Sequence, residues 1–85
     1  MTIQSFNTEL NVIGCRSDEA LNQVSEFIDR AILNRAKLIR IVHGVGSGIL
    51  RKMIHRYLKQ NKYVESFRIA DANAGGSGAT EVILK

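Results

Sequence analysis

The stretch Leu38-Ile39-Arg40-Ile41-Val42-His43-Gly44-Val45-Gly46-Ser47-Gly48-Ile49-Leu50 decides how this chain is read. An apolar run comes first and predicts a strand over 37–42. Three glycines follow at every second position, and a helical spacing begins at Ile49. Glycine accepts positive φ and lets the backbone come close to a ligand. The first N–H groups of a helix lack internal partners and carry about half a positive charge from the aligned peptide dipoles. Strand, glycine loop and helix start together predict an anion site, most simply one for phosphate. The same string also suits a tight strand-to-helix turn that holds no ligand. It matches neither G-x-G-x-x-G nor G-x-x-x-x-G-K-S/T, so a nucleotide-binding P-loop is not expected.

Working outward, the helix after the loop is predicted over about Ile49–Gln60. Leu50, Met53, Ile54, Tyr57 and Leu58 form its apolar side, with Arg51, Lys52, His55, Arg56 and Lys59 opposite. Upstream, Glu9–Ile13 alternates partly and reads as a first strand, ended by Gly14. Ser17 is the expected cap of a helix running to about Asn34, with Asp18 and Glu19 in its first turn. Leu21, Val24, Phe27, Ile28 and Ala31 recur at threes and fours and define its buried face. Downstream, Val64–Ala70 and Ala79–Leu84 read as strands flanking a second glycine-rich loop, Asp71–Gly78. Residues 1–8 read as a flexible tail or linker remnant and residues 9–85 as one domain.

The order βαβαββ predicts an α/β two-layer sandwich with a four-stranded mixed sheet. The first three strands are expected to pair in parallel through right-handed crossovers, and the last to return antiparallel. Asn11, Arg40, Arg68 and Glu81, interleaved among apolar strand residues, predict one uncovered sheet face. Gly14-Cys15-Arg16, His43–Gly48 and Asp71–Gly78 all follow carboxyl ends of strands. They are expected to gather at one edge of the sheet, where open α/β sheets bind ligands.

Composition narrows the class. Eighty-five residues suffice for one small domain, and 45% hydrophobic content is that of a globular chain. One cysteine, Cys15, excludes an intrachain disulfide and agrees with a reducing, cytoplasmic setting. One Cys and two His argue against structural zinc. No apolar run approaches the roughly 20 residues that span a bilayer, so no membrane partner is expected. Net charge is +4, and its distribution says more. No Asp or Glu occurs from Arg30 to Val64, whereas Arg30, Arg35, Lys37, Arg40, Arg51, Lys52, Arg56, Lys59 and Lys62 all lie there. A block of one sign beside a candidate phosphate loop points to a polyanion, nucleic acid first. The bland alternative is a solvated helix face.

Three segments carry a family resemblance. Leu10-Asn11-Val12-Ile13-Gly14, His43-Gly44-Val45-Gly46-Ser47-Gly48 and Gly75-Gly76-Ser77-Gly78-Ala79-Thr80 resemble the Smr (small MutS-related) domain. That family is marked by an L-D-x-H/R-G strand end, an H-G-x-G-x-G loop and a late G-G-x-G-x-T segment. Val64–Arg68 and Ser17–Leu21 look most like the version at the C-terminus of bacterial MutS-paralogue ATPases. The resemblance implies a fold similar to the C-terminal domain of translation initiation factor three. It implies binding to DNA, branched or duplex, and to RNA or the ribosome, within a larger ATPase chain acting in DNA repair, recombination or ribosome rescue. For several members it implies a nicking endonuclease, for which a divalent metal is the candidate cofactor. Asn11 stands where the motif has Asp, and Ile13 where it has His or Arg. A carboxylate able to bind metal or accept a proton is thereby missing.

The residues themselves set the expected roles. His43 opens the loop and is the candidate catalytic proton carrier, the alternative being a histidine that pins the turn. Gly44, Gly46 and Gly48 are expected to turn backbone amides toward phosphate, with Ser47 beside them. Gly75, Gly76 and Gly78 either do the same across the edge or form a hairpin. Arg16, Arg51 and Lys52 are expected phosphate contacts, and Arg56 and Lys59 extend the stripe. Asp71 is the nearest expected carboxylate, although loop aspartates usually form turns. His55 is expected at the surface, Thr80 as a hydroxyl contact or turn former, and Cys15 as a small packing residue. A protein–protein adaptor role is the remaining class, since basic surfaces also meet acidic proteins.

Overall fold

A computed structural model describes residues 6–70 and 76–85. The elements run β1 (Glu9–Asn11), α1 (Ser17–Leu33), β2 (Leu38–Val42), α2 (Ile49–Gln60), β3 (Val64–Ile69) and β4 (Ala79–Leu84). The last strand is entered through a 3-10 turn at Gly76–Gly78. Four strands form one mixed sheet in the order β1-β2-β4-β3. β1 and β2 pair in parallel, and β4 is antiparallel to both neighbours. The expected pairing of β3 beside the first two strands is therefore corrected: β4 inserts between β2 and β3. A crossover helix sets handedness and direction but not adjacency, so the returning strand takes the gap.

Burial alternates along the central strands. Ile39 and Ile41 of β2, with Val82 and Leu84 of β4, lie under the helices. Val24, Phe27, Ile28 and Ala31 of α1, with Ile54 and Leu58 of α2, pack onto them. The expected apolar helix faces are thus the ones buried, with Ala20 added and Leu21 only half-buried. The N-cap of α1 is Arg16 rather than Ser17, and the Arg16 amide donates to the Glu19 carboxylate at 3.3 Å. Packing reaches back before Glu9: Phe6 stacks on Phe27 at 5.5 Å, and the Arg40 amide donates to the Thr8 carbonyl at 2.8 Å.

The other sheet face carries no helix. One residue from each strand forms a row across it, Glu9, Arg40, Glu81 and Arg68, placed opposite one another by the pairing register. Arg40 and Glu9 are 3.3 Å apart and Arg68 and Glu81 2.9 Å. Signs alternate along the row, which suits cross-strand neighbours. No helix among the described residues is long and apolar enough to cross a membrane.

Candidate functional site

The glycine loop turns the chain from β2 into α2 through three positive φ angles, 78° at Gly44, 41° at Gly46 and 84° at Gly48. A Cβ at Gly44 would meet Ile13 Cγ1 at 3.3 Å, so the first-strand end packs directly on the loop. The late glycine segment closes it from the other side. The Gly78 carbonyl accepts from the His43 amide at 3.0 Å and from the Gly44 amide at 2.9 Å. The three motif segments therefore meet at one sheet edge, around an open cleft of about 270 Å³ lined by Ile13, Gly14 and residues 43–51.

The hydrogen bonds redistribute the expected roles. Gly44 gives its amide to Gly78, and Gly48 donates to the Val45 carbonyl at 3.1 Å. Of the three loop glycines, only Gly46 keeps an amide for a ligand. Among the described residues, the N–H groups of Val45, Gly46, Ser47, Ile49, Leu50 and Arg51 donate to no protein acceptor. The last three form the first turn of α2, where unpaired amides and the positive helix end coincide.

Arg51 is half-buried, lines the cleft and reaches back over the loop; its Nη2 lies 3.3 Å from where a Gly48 Cβ would stand. Lys52, Arg56 and Lys59 are exposed at spacings of four and three, on a stripe outside the cleft. Arg51 is thus parted from the basic residues it was expected to accompany. Arg16 is exposed at the start of α1 and does not line the cleft, although Gly14, two residues earlier, does. Gly76, at φ 58°, and Gly78 belong to the 3-10 turn, and the Gly78 carbonyl closes the loop. Gly75 and Asp71 lie outside the described residues. Cys15 is half-buried and accepts from Gln23 Nε2 at 3.5 Å.

His43 is not partly exposed, as its place at the strand end suggested; it is 4% exposed. Its Nδ1 is 2.9 Å from the Gly44 carbonyl and its Nε2 is 2.8 Å from Thr80 Oγ1. Sequence reasoning missed the third member of this cluster. His55 is half-buried, with Nε2 2.7 Å from the same Thr80 hydroxyl and its ring 4.9 Å from that of Phe67. Burial, then the neighbouring His43, Arg51 and Lys59, hold its pKa below the ordinary histidine value. Thr80 is fully buried. The two-residue rhythm Thr80, Val82, Leu84 was the signal that could have exposed it, because a hydroxyl on a covered face must find partners.

No carboxylate among the described residues lines the cleft. Asn11, in the place of the motif Asp, has its Oδ1 engaged by the Ile13 amide at 2.9 Å. No group of three or more His, Cys, Asp or Glu among the described residues could hold a metal ion.

Known proteins share this fold. The family model for the Smr domain matches residues 10–85. An "Endonuclease MutS2" of Streptococcus gordonii is 49% identical over 76 residues, covering 89% of this chain and 10% of that protein. The chain thus spans about a tenth of the length of the curated relatives it matches. The crystal structure of the Smr domain of Thermus thermophilus MutS2 superposes with a TM-score of 0.90 at 36% identity, covering 92% of this chain and 98% of the other. YdaL, a stand-alone small MutS-related protein from Escherichia coli, gives 0.88 at 28% identity, covering 92% of this chain and 64% of the other.

Proposed function

The chain belongs to the Smr domain family, and on that premise we propose that it is a nucleic-acid-binding module of a longer MutS-like protein. That longer chain is an ATPase of DNA repair or recombination working in the cytoplasm. The module grips the sugar–phosphate backbone of branched or duplex DNA, or of RNA including the ribosome's. The observation that supports this most is the set of unpaired amides at the start of α2, with Arg51 folded over them. Lys52, Arg56 and Lys59 continue from that point along an exposed stripe with no acid in it. A phosphate in the cleft gains amide donors and the helix end, and the adjoining backbone meets the lysine and arginine heads.

Base reading has little support. Phe6, Phe27, Tyr57 and Phe67 pack against the core, and Tyr63 is the one exposed aromatic among the described residues. A stacking platform needs several such rings. Contacts to phosphate and sugar position a protein without reading sequence.

Binding outweighs cutting. A nicking reaction would need His43 to move a proton while the loop amides and Arg51 stabilise the charged phosphorane-like state. Both ring nitrogens already have protein partners, so His43 serves a scissile phosphate only after releasing Thr80 or Gly44. Any nicking is therefore weak, and His43→Ala abolishes it.

The test is salt dependence. Fluorescence anisotropy with unrelated DNA and RNA oligonucleotides should show affinity falling steeply with salt. The double variant Lys52→Glu/Arg56→Glu should weaken every sequence alike. It should also flatten the log–log slope by about one unit for each phosphate that is no longer neutralised. An unchanged slope would return the stripe to plain solvation. No binding to either nucleic acid at low salt would leave the adaptor reading in its place.

A further inference from the structure

We infer that His55 is a positioning residue: by donating to Thr80 it holds the hydroxyl hydrogen on His43 Nε2 and so, together with the Gly44 carbonyl, keeps the His43 hydrogen on Nδ1. His43 in turn aims the first peptide of the glycine loop. The starting point is the three short approaches His55 Nε2–Thr80 Oγ1, Thr80 Oγ1–His43 Nε2 and His43 Nδ1–Gly44 O, at 2.7, 2.8 and 2.9 Å. A carbonyl oxygen only accepts, so His43 Nδ1 must carry a hydrogen. A neutral imidazole has one such hydrogen, which leaves Nε2 as an acceptor. The Thr80 hydroxyl has a single hydrogen and gives it to that nitrogen. Its oxygen then faces His55 Nε2 and has to receive, so His55 carries its hydrogen on Nε2. For neutral rings, this assignment satisfies every partner. The reverse order would set a lone pair of His43 against the Gly44 carbonyl.

The surroundings hold the arrangement in place. Thr80 is fully buried, so its hydroxyl has no water to turn to. The His43 and His55 rings meet edge to face at 6.1 Å, and Phe67 lies against His55. Burial and the neighbouring cationic groups keep His55 neutral near neutral pH.

The effect reaches the cleft through one peptide plane. In a trans peptide the C=O and the following N–H point in opposite directions. The peptide from Gly44 to Val45 turns its carbonyl onto the His43 ring, so the Val45 N–H is aimed away from it. The Gly44 amide is fixed on Gly78 at 2.9 Å, which secures the other side. His55 does not line the cleft, yet it sets one of the cleft's donors from behind. That this donor meets phosphate rests on the function proposed above; the hydrogen order does not.

Long-range ¹H–¹⁵N NMR of the imidazole rings in this 85-residue chain tests the inference. The wild type should show His43 as the Nδ1–H tautomer and His55 as Nε2–H. His55→Leu removes the donor and should leave His43 in mixed tautomers, with DNA and RNA oligonucleotide affinity lowered about three- to tenfold, a loss near 1 kcal/mol. His55→Gln, whose carboxamide still donates to Thr80, should restore both the tautomer and the affinity. His43 found mainly as Nε2–H in the wild type would overturn the assignment, and so would an undisturbed His43 tautomer in His55→Leu. The wild-type spectrum decides the hydrogen order even where a variant fails to fold. The two readings also fail separately: a tautomer shift in His55→Leu with no wild-type binding of either oligonucleotide sustains the positioning role and removes the nucleic-acid one.

Discussion

Thr80→Val isolates the polar cluster, because valine keeps the shape of threonine and changes only the hydroxyl. No cavity forms, and β propensity is undisturbed. The cost falls on the two imidazoles. His43, 4% exposed, keeps a nitrogen lone pair with no partner and no water. Leaving a buried polar group unsatisfied costs about 1–3 kcal/mol. His55 is half-buried and regains water, so its share is the smaller. A total of about 2–3 kcal/mol is expected, against a whole-domain stability on the order of 4–13 kcal/mol for this length. Each kcal/mol lowers the melting temperature of a domain this small by about 4–8 °C, so the variant should melt roughly 10–20 °C earlier. Thr80→Ser is the control. It keeps the hydroxyl and removes one methyl group, at a cost of about 1 kcal/mol. Urea unfolding followed by circular dichroism ranks the three proteins. Wild type, then serine, then valine is the expected order, although valine is the more apolar and the better strand former. Valine equal to or above wild type would refute the claim that Thr80 serves both histidines.

The same geometry governs two other measurements. Because the fold holds the His55 pKa below 6.5, the unfolded chain takes up that proton first as pH falls; stability declines below pH 6.5 through this group and is unaffected by it above. Urea midpoints measured across that range should lose part of their pH slope in His55→Gln, and an unaltered slope would contradict the linkage. Gly44→Ala and Gly46→Ala separate fold from ligand: each forces a left-handed alanine, about 1–2 kcal/mol of strain, but only at Gly46 does the methyl enter open cleft beside a free amide. Oligonucleotide titration of the folded variants should show the larger drop in affinity at Gly46, and equal drops would mean that the loop amides do not meet the ligand.

Much of the fold was legible in the chain. The bounds of α2 and β4 are those its spacing and alternation give, because each element has a strong apolar rhythm and a glycine at its start. The position of β4 between β2 and β3 was not, since alternation reports which face a residue takes and says nothing of which strand lies beside it. The meeting of the three motif segments followed from direction alone and survives that change of order. At the site, glycine spacing correctly signalled a backbone bent through positive φ at Gly44, Gly46 and Gly48. It did not reveal that the amides of Gly44 and Gly48 are taken by Gly78 and Val45, because pairing depends on where distant backbone arrives. His55 was hidden by its neighbours. It sits one residue after buried Ile54 and between basic side chains, so a wheel projection assigns it to solvent. Thr80 lies 25 residues away in sequence and reaches it only through the sheet.

The row Glu9–Arg40–Glu81–Arg68 bears on how fast this domain meets a partner, not only on how the sheet stays folded. Its two acids and two bases cancel, so the uncovered face has little far field despite an overall charge of +4. The helical layer is charged unevenly, with Asp18, Glu19, Glu26 and Asp29 against Arg30 on α1, and Arg51, Lys52, Arg56 and Lys59 without an acid on α2. The molecule therefore carries a permanent electric moment directed from α1 toward α2. In the field of a polyanion such a body feels a torque as well as a pull, and it rotates before it touches. Much of the rotational search that usually slows docking is then completed during approach. Added salt acts on that step first, shortening the range of alignment while leaving the lifetime of a formed complex comparatively unchanged.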